Sequence, residues 1–134
     1  MTTFQDLGAG GRRDIAVARE HCGAMRALVM RTVGGREDRE SLRKLREILR
    51  SASAAIDDAD CRSLLSSVER CGADLFSKSG HLKWATAHVS GADVLTLQIL
   101  RELDAFEARL LRLEAARNAT GWPDLARRAR PGRA

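Results

Sequence analysis

Apolar residues recur along most of this chain at alternating intervals of three and four, the spacing that places side chains on one face of an α-helix. The first such run begins after Arg12, and two runs of similar length follow it. The residues that form the three runs are Ile15, Ala18, Cys22, Met25 and Val29; Leu42, Leu45, Leu49, Ala52 and Ile56; and Cys61, Leu64, Val68, Cys71 and Leu75. The alternation typical of strands is missing from the sequence, so the pattern predicts an all-α protein.

Local signals separate these helices. Gly34 and Gly35 follow the first run, and glycine suits the left-handed conformation that ends many helices. Between the second and third runs the register jumps by five residues, and the DDAD sequence at 57–60 supplies side chains that cap a helix start. The sequence therefore predicts three helices, each roughly 30 Å long. Because neither glycine nor proline occurs between the second and third runs, a bent continuous helix is the alternative there.

The last run is the longest, because its three-four register continues without a slip over residues 82–113. Ser90 followed by Asp93 resembles a helix start, with a capping serine and an acid in the first turn. A chain broken at Ser90-Gly91 need not keep its register, so we expect one continuous or mildly kinked helix over 81–118. The predicted fold is an antiparallel four-helix bundle with a long C-terminal helix, or five helices if the last one breaks at Ser90-Gly91.

Composition divides the chain into a lead, a body and a tail. Residues 1–11 end in glycines and show no sustained period, so we interpret them as a flexible N-terminal lead. Residues 12–122 are the expected helical bundle domain. Residues 123–134 are the expected disordered basic tail, because Pro123 is a stop signal for a helix.

The net charge of +5 is concentrated at one end of the chain. Residues 124–134 carry four arginines and one aspartate, so this segment alone supplies 4 − 1 = +3. The rest of the chain is therefore close to neutral. A basic tail attracts polyanions with little specificity.

Composition also bears on the compartment in which the protein works. The apolar fraction of 44% and the charged fraction of 31% are typical of a soluble globular protein. No run of apolar residues is long enough to span a membrane, and the first residues lack the layout of a signal peptide. We therefore expect a cytoplasmic protein, with no membrane partner, whose three cysteines are reduced.

Neither a metal site nor a cofactor is predicted, although histidine and cysteine are potential ligands. CxxC and HxxxH spacings are missing, and His81 and His88 lie two helical turns apart, on the order of 10 Å along a helix axis. The cysteines fall on the apolar stripes, where cysteine behaves as a small buried hydrophobic residue. Phosphate-binding loops and nucleophile motifs are also missing, so we predict no catalytic residue.

One stretch resembles the phosphorylation site of histidine-phosphotransfer domains, which are four-helix bundles of about this size. His81 is followed by Gly-Ala and then by leucine at the spacing of the second half of that family's motif, HxxKGxxxxxGAxxL. The first half departs from the motif, because Trp84 stands at the lysine position and Ala85 at the glycine position. The resemblance implies that His81 is a phosphoacceptor in a signalling protein, which is our first alternative function.

A second alternative is nucleic-acid binding through the basic segment 36–50. Its arginines and its lysine alternate with four acidic residues, and the segment offers no aromatic side chain on which a base could stack. An ordinary charged helix face explains this composition better. Nucleic-acid binding, through this face or through the tail, is therefore not favoured.

Three apolar residues of the last predicted helix lie outside its central apolar arc, namely Trp84, Val94 and Leu97. A helix that is apolar on more than one side is usually buried on more than one side. The second covering surface is either the rest of the same bundle or another chain. Four charged residues are placed to frame a coiled-coil seam with another chain: Glu102, Glu107, Arg109 and Glu114.

The sequence as a whole favours a non-catalytic function. We predict a cytoplasmic helical module for protein–protein interaction, of the adaptor, chaperone-like or regulatory-subunit kind. It is expected to form a homodimer, or to bind another protein, through Trp84, Val94 and Leu97.

Overall fold

The computed structural model describes the backbone of residues 3–31 and 39–129, and the side chains of these ranges except for 3–14, Lys78 and 120–129. Five helices lie within these described ranges: α1 (Thr3–Arg31), α2 (Arg39–Ala55), α3 (Ala59–Leu75), α4 (Lys78–Trp84) and α5 (Gly91–Ala129). The described residues include no strand, so the prediction of an all-α fold is confirmed.

Four of the helices form an antiparallel bundle in which each one contacts two neighbours. The order around the bundle is α1, α2, α3 and α5, so α2 and α5 lie at opposite corners. The short helix α4 contacts both α3 and α5 at one end of the bundle. The chain reverses direction between α2 and α3 across residues 56–58, and between α3 and α5 across the segment that contains α4.

The predicted apolar stripes form the core of the bundle. On α1, the five stripe residues from Ile15 to Val29 are all buried. Full burial of one large apolar side chain contributes about 1.5–3 kcal/mol, so these stripes supply most of the driving force for packing. Helix α5 contributes five fully buried side chains to this core: Leu95, Ile99, Leu103, Phe106 and Leu110.

The predicted break between the second and third helices is confirmed. Asp58 has an extended backbone conformation, and its carboxylate accepts a hydrogen bond from the backbone N–H of Cys61 at 3.0 Å. An N–H group in the first turn has no partner inside its own helix, so this side chain fixes the start of α3.

The prediction of one continuous or mildly kinked helix over 81–118 is wrong, and the alternative of a break at Ser90-Gly91 is right. Helix α4 ends at Trp84, and α5 begins at Gly91 after a short turn. Ser90 caps α5, because its hydroxyl oxygen accepts a hydrogen bond from the backbone N–H of Asp93 at 3.1 Å. The local capping signal therefore outweighs the unbroken apolar register.

The register that favoured continuity does not correspond to one buried face. Leu82 is 80% exposed and Val89 is 44% exposed, whereas the buried stripe of α5 begins at Ala92. Within the turn, the hydroxyl oxygen of Thr86 accepts a hydrogen bond from the backbone N–H of Val89 at 2.9 Å. The three-four spacing between residues 82 and 92 is thus a coincidence of sequence.

Close backbone contacts hold the corner formed by the end of α3, by α4 and by the start of α5, which we call the α4 corner. A Cβ atom on Gly91 would overlap the backbone of His81, and a Cβ atom on Gly80 would overlap the backbone of Asp74. Both positions therefore require glycine, because any side chain would push the neighbouring segments apart.

Helices α1 and α5 extend further than the sequence pattern predicted. Helix α1 begins at Thr3 rather than at Arg12, and α5 passes Pro123 and ends at Ala129. The flexibility of the lead and the disorder of the tail stay predictions. Residues 130–134 and the predicted glycine cap after the first helix lie outside the described part of the structure.

Substitution of Gly91 by alanine tests the close approach in the α4 corner. We expect Gly91→Ala to lower the free energy of unfolding by about 1–3 kcal/mol, because the new Cβ atom must displace the backbone of His81. Urea denaturation measures the change.

Gly23→Ala is the matched control, because Gly23 lies inside α1 and a Cβ atom there would meet open space. This variant should gain about 0.5–1 kcal/mol, the usual advantage of alanine over glycine within a helix. Similar changes in both variants would show that the α4 corner is not closely packed.

Candidate interaction surface

Helix α5 carries a second three-four series on the side that faces away from the bundle. Leu97 and Leu111 in this series are 54% and 43% exposed, and every member except the half-buried Val94 is exposed. Four members are apolar, and the two in the middle carry opposite charges. We call the series the outer stripe, and its members are Val94, Leu97, Arg101, Asp104, Ala108 and Leu111.

The geometry of an α-helix separates the outer stripe from the core face. Successive residues are rotated by about 100°, so Leu97 projects roughly 160° away from Ile99, which is fully buried. The core face packs against α1 and α3. The bundle therefore covers one side of α5 and leaves the opposite side bare.

A groove of about 390 Å³ lies beside the first turns of α5. Val89 from the preceding turn and Val94, Leu97 and Leu100 from α5 line it, together with polar residues of the same helix. The groove makes the apolar surface around Leu97 continuous with Val89. Two of the three residues predicted from the sequence as interface candidates, Val94 and Leu97, thus lie together on this surface.

Trp84, the third candidate, is used within the fold. It is half-buried and packs against the core, and its indole N–H donates a hydrogen bond to the Oδ2 atom of Asp74 at 2.8 Å. Because Asp74 lies near the end of α3, this bond ties α4 to α3. Trp84 does not line the groove beside α5.

Charged residues near the outer stripe already have partners within the monomer. Arg26 of α1 donates to Asp104 at 2.7 Å and to Glu107 at 3.4 Å. Glu102 accepts a hydrogen bond from Gln98 at 2.8 Å. Two of the four charges predicted to frame a coiled-coil seam, Glu102 and Glu107, therefore stabilise α5 and its contact with α1.

A third charge from that set, Arg109, anchors α5 to the start of α3. Its Nε and Nη2 atoms donate hydrogen bonds to the two carboxylate oxygens of Asp58 at 3.0 and 2.9 Å. The planar guanidinium group matches a carboxylate in this two-point geometry. Together with the capping bond from Cys61, the Arg109 pair holds the pKa of the Asp58 carboxyl well below its usual range.

His81, the predicted phosphoacceptor of the first alternative function, lies in the α4 corner. Its side chain is half-buried, and its Nε2 atom is hydrogen-bonded to the carbonyl oxygen of Leu75. A carbonyl oxygen only accepts, so Nε2 carries the proton and donates it to this bond. Gly91, which matched the phosphotransfer motif, packs against the backbone of His81. The phosphoacceptor role stays a prediction, while the contacts of His81 are those of a structural residue.

The basic segment 36–50 corresponds to α2 in its described part. Arg43 forms ion pairs with two glutamates of its own helix. Arg46 and Arg50 line a cleft of about 250 Å³ between α2 and α3, and Glu69 lines the same cleft. Acidic side chains therefore lie among the arginines of α2, and nucleic-acid binding through this face stays a prediction.

The three cysteines are free and buried, in agreement with the prediction of reduced thiols. Burial raises the pKa of the Cys22 thiol to about 11 and that of the Cys61 thiol to about 12. Both groups are therefore protonated thiols at neutral pH, and a protonated thiol is a poor nucleophile and metal ligand. Within the described residues, histidine, cysteine and acidic side chains form no cluster of three or more that suits a metal ion.

No described helix combines the length and the apolar character that a membrane span requires.

Comparison with protein-family models, with curated proteins and with solved structures finds no match for this chain.

The Asp58–Arg109 contact predicts a specific dependence of stability on pH. A carboxyl whose pKa is lowered by folding contributes stability above its unfolded pKa of about 3.9, and it loses that contribution as the pH falls further. We expect Asp58→Asn to be less stable than the wild type at pH 7, because asparagine still caps a helix but cannot pair with a cation.

Denaturant titrations at pH 7 and at pH 3 measure this effect. The difference in the free energy of unfolding between wild type and Asp58→Asn should narrow as the pH falls from about 5 toward 2. Asp57→Asn serves as a control, since Asp57 lies next in sequence and pairs with Arg62, but its side chain is 91% exposed, where an ion pair contributes little to stability. A difference for Asp58→Asn that does not change with pH would contradict the assigned role of this carboxylate.

Proposed function

We propose that this protein is a non-catalytic helical interaction module that associates with a second copy of itself through the outer stripe of α5. The exposure of Leu97, at 54%, next to an apolar groove is the observation that carries this proposal. Removal of such surface from water is favourable by about 25 cal/mol per Å². Contiguous apolar patches on a protein surface commonly mark interaction sites.

The way in which reactive side chains are used supports a non-catalytic role. The Cys22 and Cys61 thiols are buried and protonated, and the imidazole of His81 is bonded to a backbone carbonyl. Arg109 and Asp58 hold two helices together. These reactive side chains therefore stabilise the fold, whereas exposed apolar side chains such as Leu97 and Leu111 lie on the outer side of α5.

The composition of the outer stripe favours a second copy as the partner. The stripe carries both an arginine and an aspartate, so one surface contains both halves of an ion pair. Two-fold symmetric pairing of identical surfaces is the most common form of protein association. Adaptors, chaperone-like proteins and regulatory subunits use helical surfaces of this kind, and reduced buried thiols fit a cytoplasmic location.

Substitution of Leu97 tests the proposed surface. Sedimentation at tens of micromolar should give twice the monomer mass of 14.7 kDa for the wild type, and the monomer mass for Leu97→Asp. The aspartate places an unpaired charge in the interface, which weakens association at least about tenfold.

Ser51→Asp introduces the same charge at an exposed position of α2, the helix at the corner opposite α5. This control should remain dimeric, and thermal unfolding should show that both variants keep the fold. A monomeric wild type at these concentrations would overturn the proposed self-association.

A further inference from the structure

The order of charges in the outer stripe restricts how two copies can pair. We infer that the second copy lies antiparallel to the first, with Arg101 of each copy against Asp104 of the other. This inference rests on the proposed self-association and specifies its geometry.

The spacing of the stripe is compatible with this pairing along its whole length. In an antiparallel pair, each step toward the C-terminus on one helix is a step toward the N-terminus on the other. Once Arg101 faces Asp104, Leu97 therefore faces Ala108, and Val94 faces Leu111. The six residues pair entirely among themselves, and each contact occurs twice, as two-fold symmetry requires.

The side chains that meet in this register complement each other in size. The large Leu97 lies opposite the small Ala108, and the smaller Val94 lies opposite Leu111. Pairs of unequal size let two helices interdigitate at a close interaxial distance. The register therefore buries the exposed leucines without a clash between them.

The charged side chains at the centre of the stripe are available for contacts between copies. Arg101 is exposed and makes no ion pair with any described residue of its own chain. Asp104 is 71% exposed, and its hydrogen bond from Arg26 goes to the Oδ1 atom. The Oδ2 atom of Asp104 can therefore accept a hydrogen bond from Arg101 of the second copy while the contact with Arg26 persists.

Other arrangements of the two helices leave these charges in unfavourable positions. A parallel pair in register places Arg101 against Arg101 and Asp104 against Asp104, and such like-charge contacts are costly. An antiparallel pair shifted by one heptad places Arg101 against Leu97 or against Leu111, where its charge would be buried without a partner. One antiparallel register satisfies both charges.

The same register also accounts for the groove beside the start of α5. Beyond Leu111, helix α5 of the second copy continues toward its C-terminus and brings its Ala115 opposite Ser90 of the first copy. Val89, which is 44% exposed and lines the groove, lies next to Ser90. The second copy thus covers the apolar surface around Val89 that the bundle of the first copy leaves exposed.

Charge reversal tests the register. Arg101→Asp creates two contacts between acids in the dimer, and Asp104→Arg creates two contacts between arginines. Each single variant should raise the dissociation constant at least about tenfold, and the double variant should recover to within about threefold of the wild type, because its two ion pairs are restored in reverse. Thermal unfolding of each variant checks the fold, since Asp104 also pairs with Arg26.

Disulfide trapping gives an independent measurement that does not depend on charge. An oxidised mixture of Leu97→Cys and Ala108→Cys should form a cross-linked dimer, whereas neither variant should cross-link alone. The wild type is the control, because its three cysteines are buried.

The outcomes separate this inference from the proposed function. A wild-type dimer in which Leu97→Cys alone cross-links, or in which the double charge reversal fails to recover association, would overturn the antiparallel register and leave self-association intact. A wild type that stays monomeric would overturn both.

Discussion

The contact between the backbones of Gly91 and His81 determines where α5 begins and in which direction it leaves the α4 corner. Because no side chain separates these two segments, the chain can turn sharply after α4 and start α5 with a capped first turn. That start fixes which face of α5 meets α1 and α3. The pairs of Asp58 with Arg109 and of Arg26 with Asp104 hold the rest of the helix in the same orientation.

Much of the fold could be predicted from the sequence, because the signals involved are local. The stripe from Ile15 to Val29 and the capping aspartate before α3 both act within a few residues of the chain. The end of α4 could not be predicted in the same way. Leu82 and Val89 continue the apolar register by coincidence, and the contact that requires Gly91 joins residues ten positions apart in two different elements.

The candidate surface was only partly visible in the sequence. Val94 and Leu97 were identified because they fall outside the apolar arc of their helix, whereas Trp84 fills a place in the α4 corner that no periodicity reveals. Arg101 and Asp104 could not be recognised as interface residues from the sequence, since charged residues are common on the exposed faces of helices. Their proposed role depends on which neighbouring charged residues already form ion pairs within the monomer. Such pairs form only in the folded chain, as Arg109 with Asp58 shows.

The length of α5 determines how far apart the two C-terminal ends of α5 would lie in a dimer. At 39 residues, α5 spans about 58 Å, more than twice the length of the 17-residue helices α2 and α3. In the antiparallel pair, the two Ala129 backbones would lie roughly 80 Å apart at opposite poles of the assembly. The dimer would then act as a rigid strut, and a binding partner could engage both ends at once only if its own sites matched that separation.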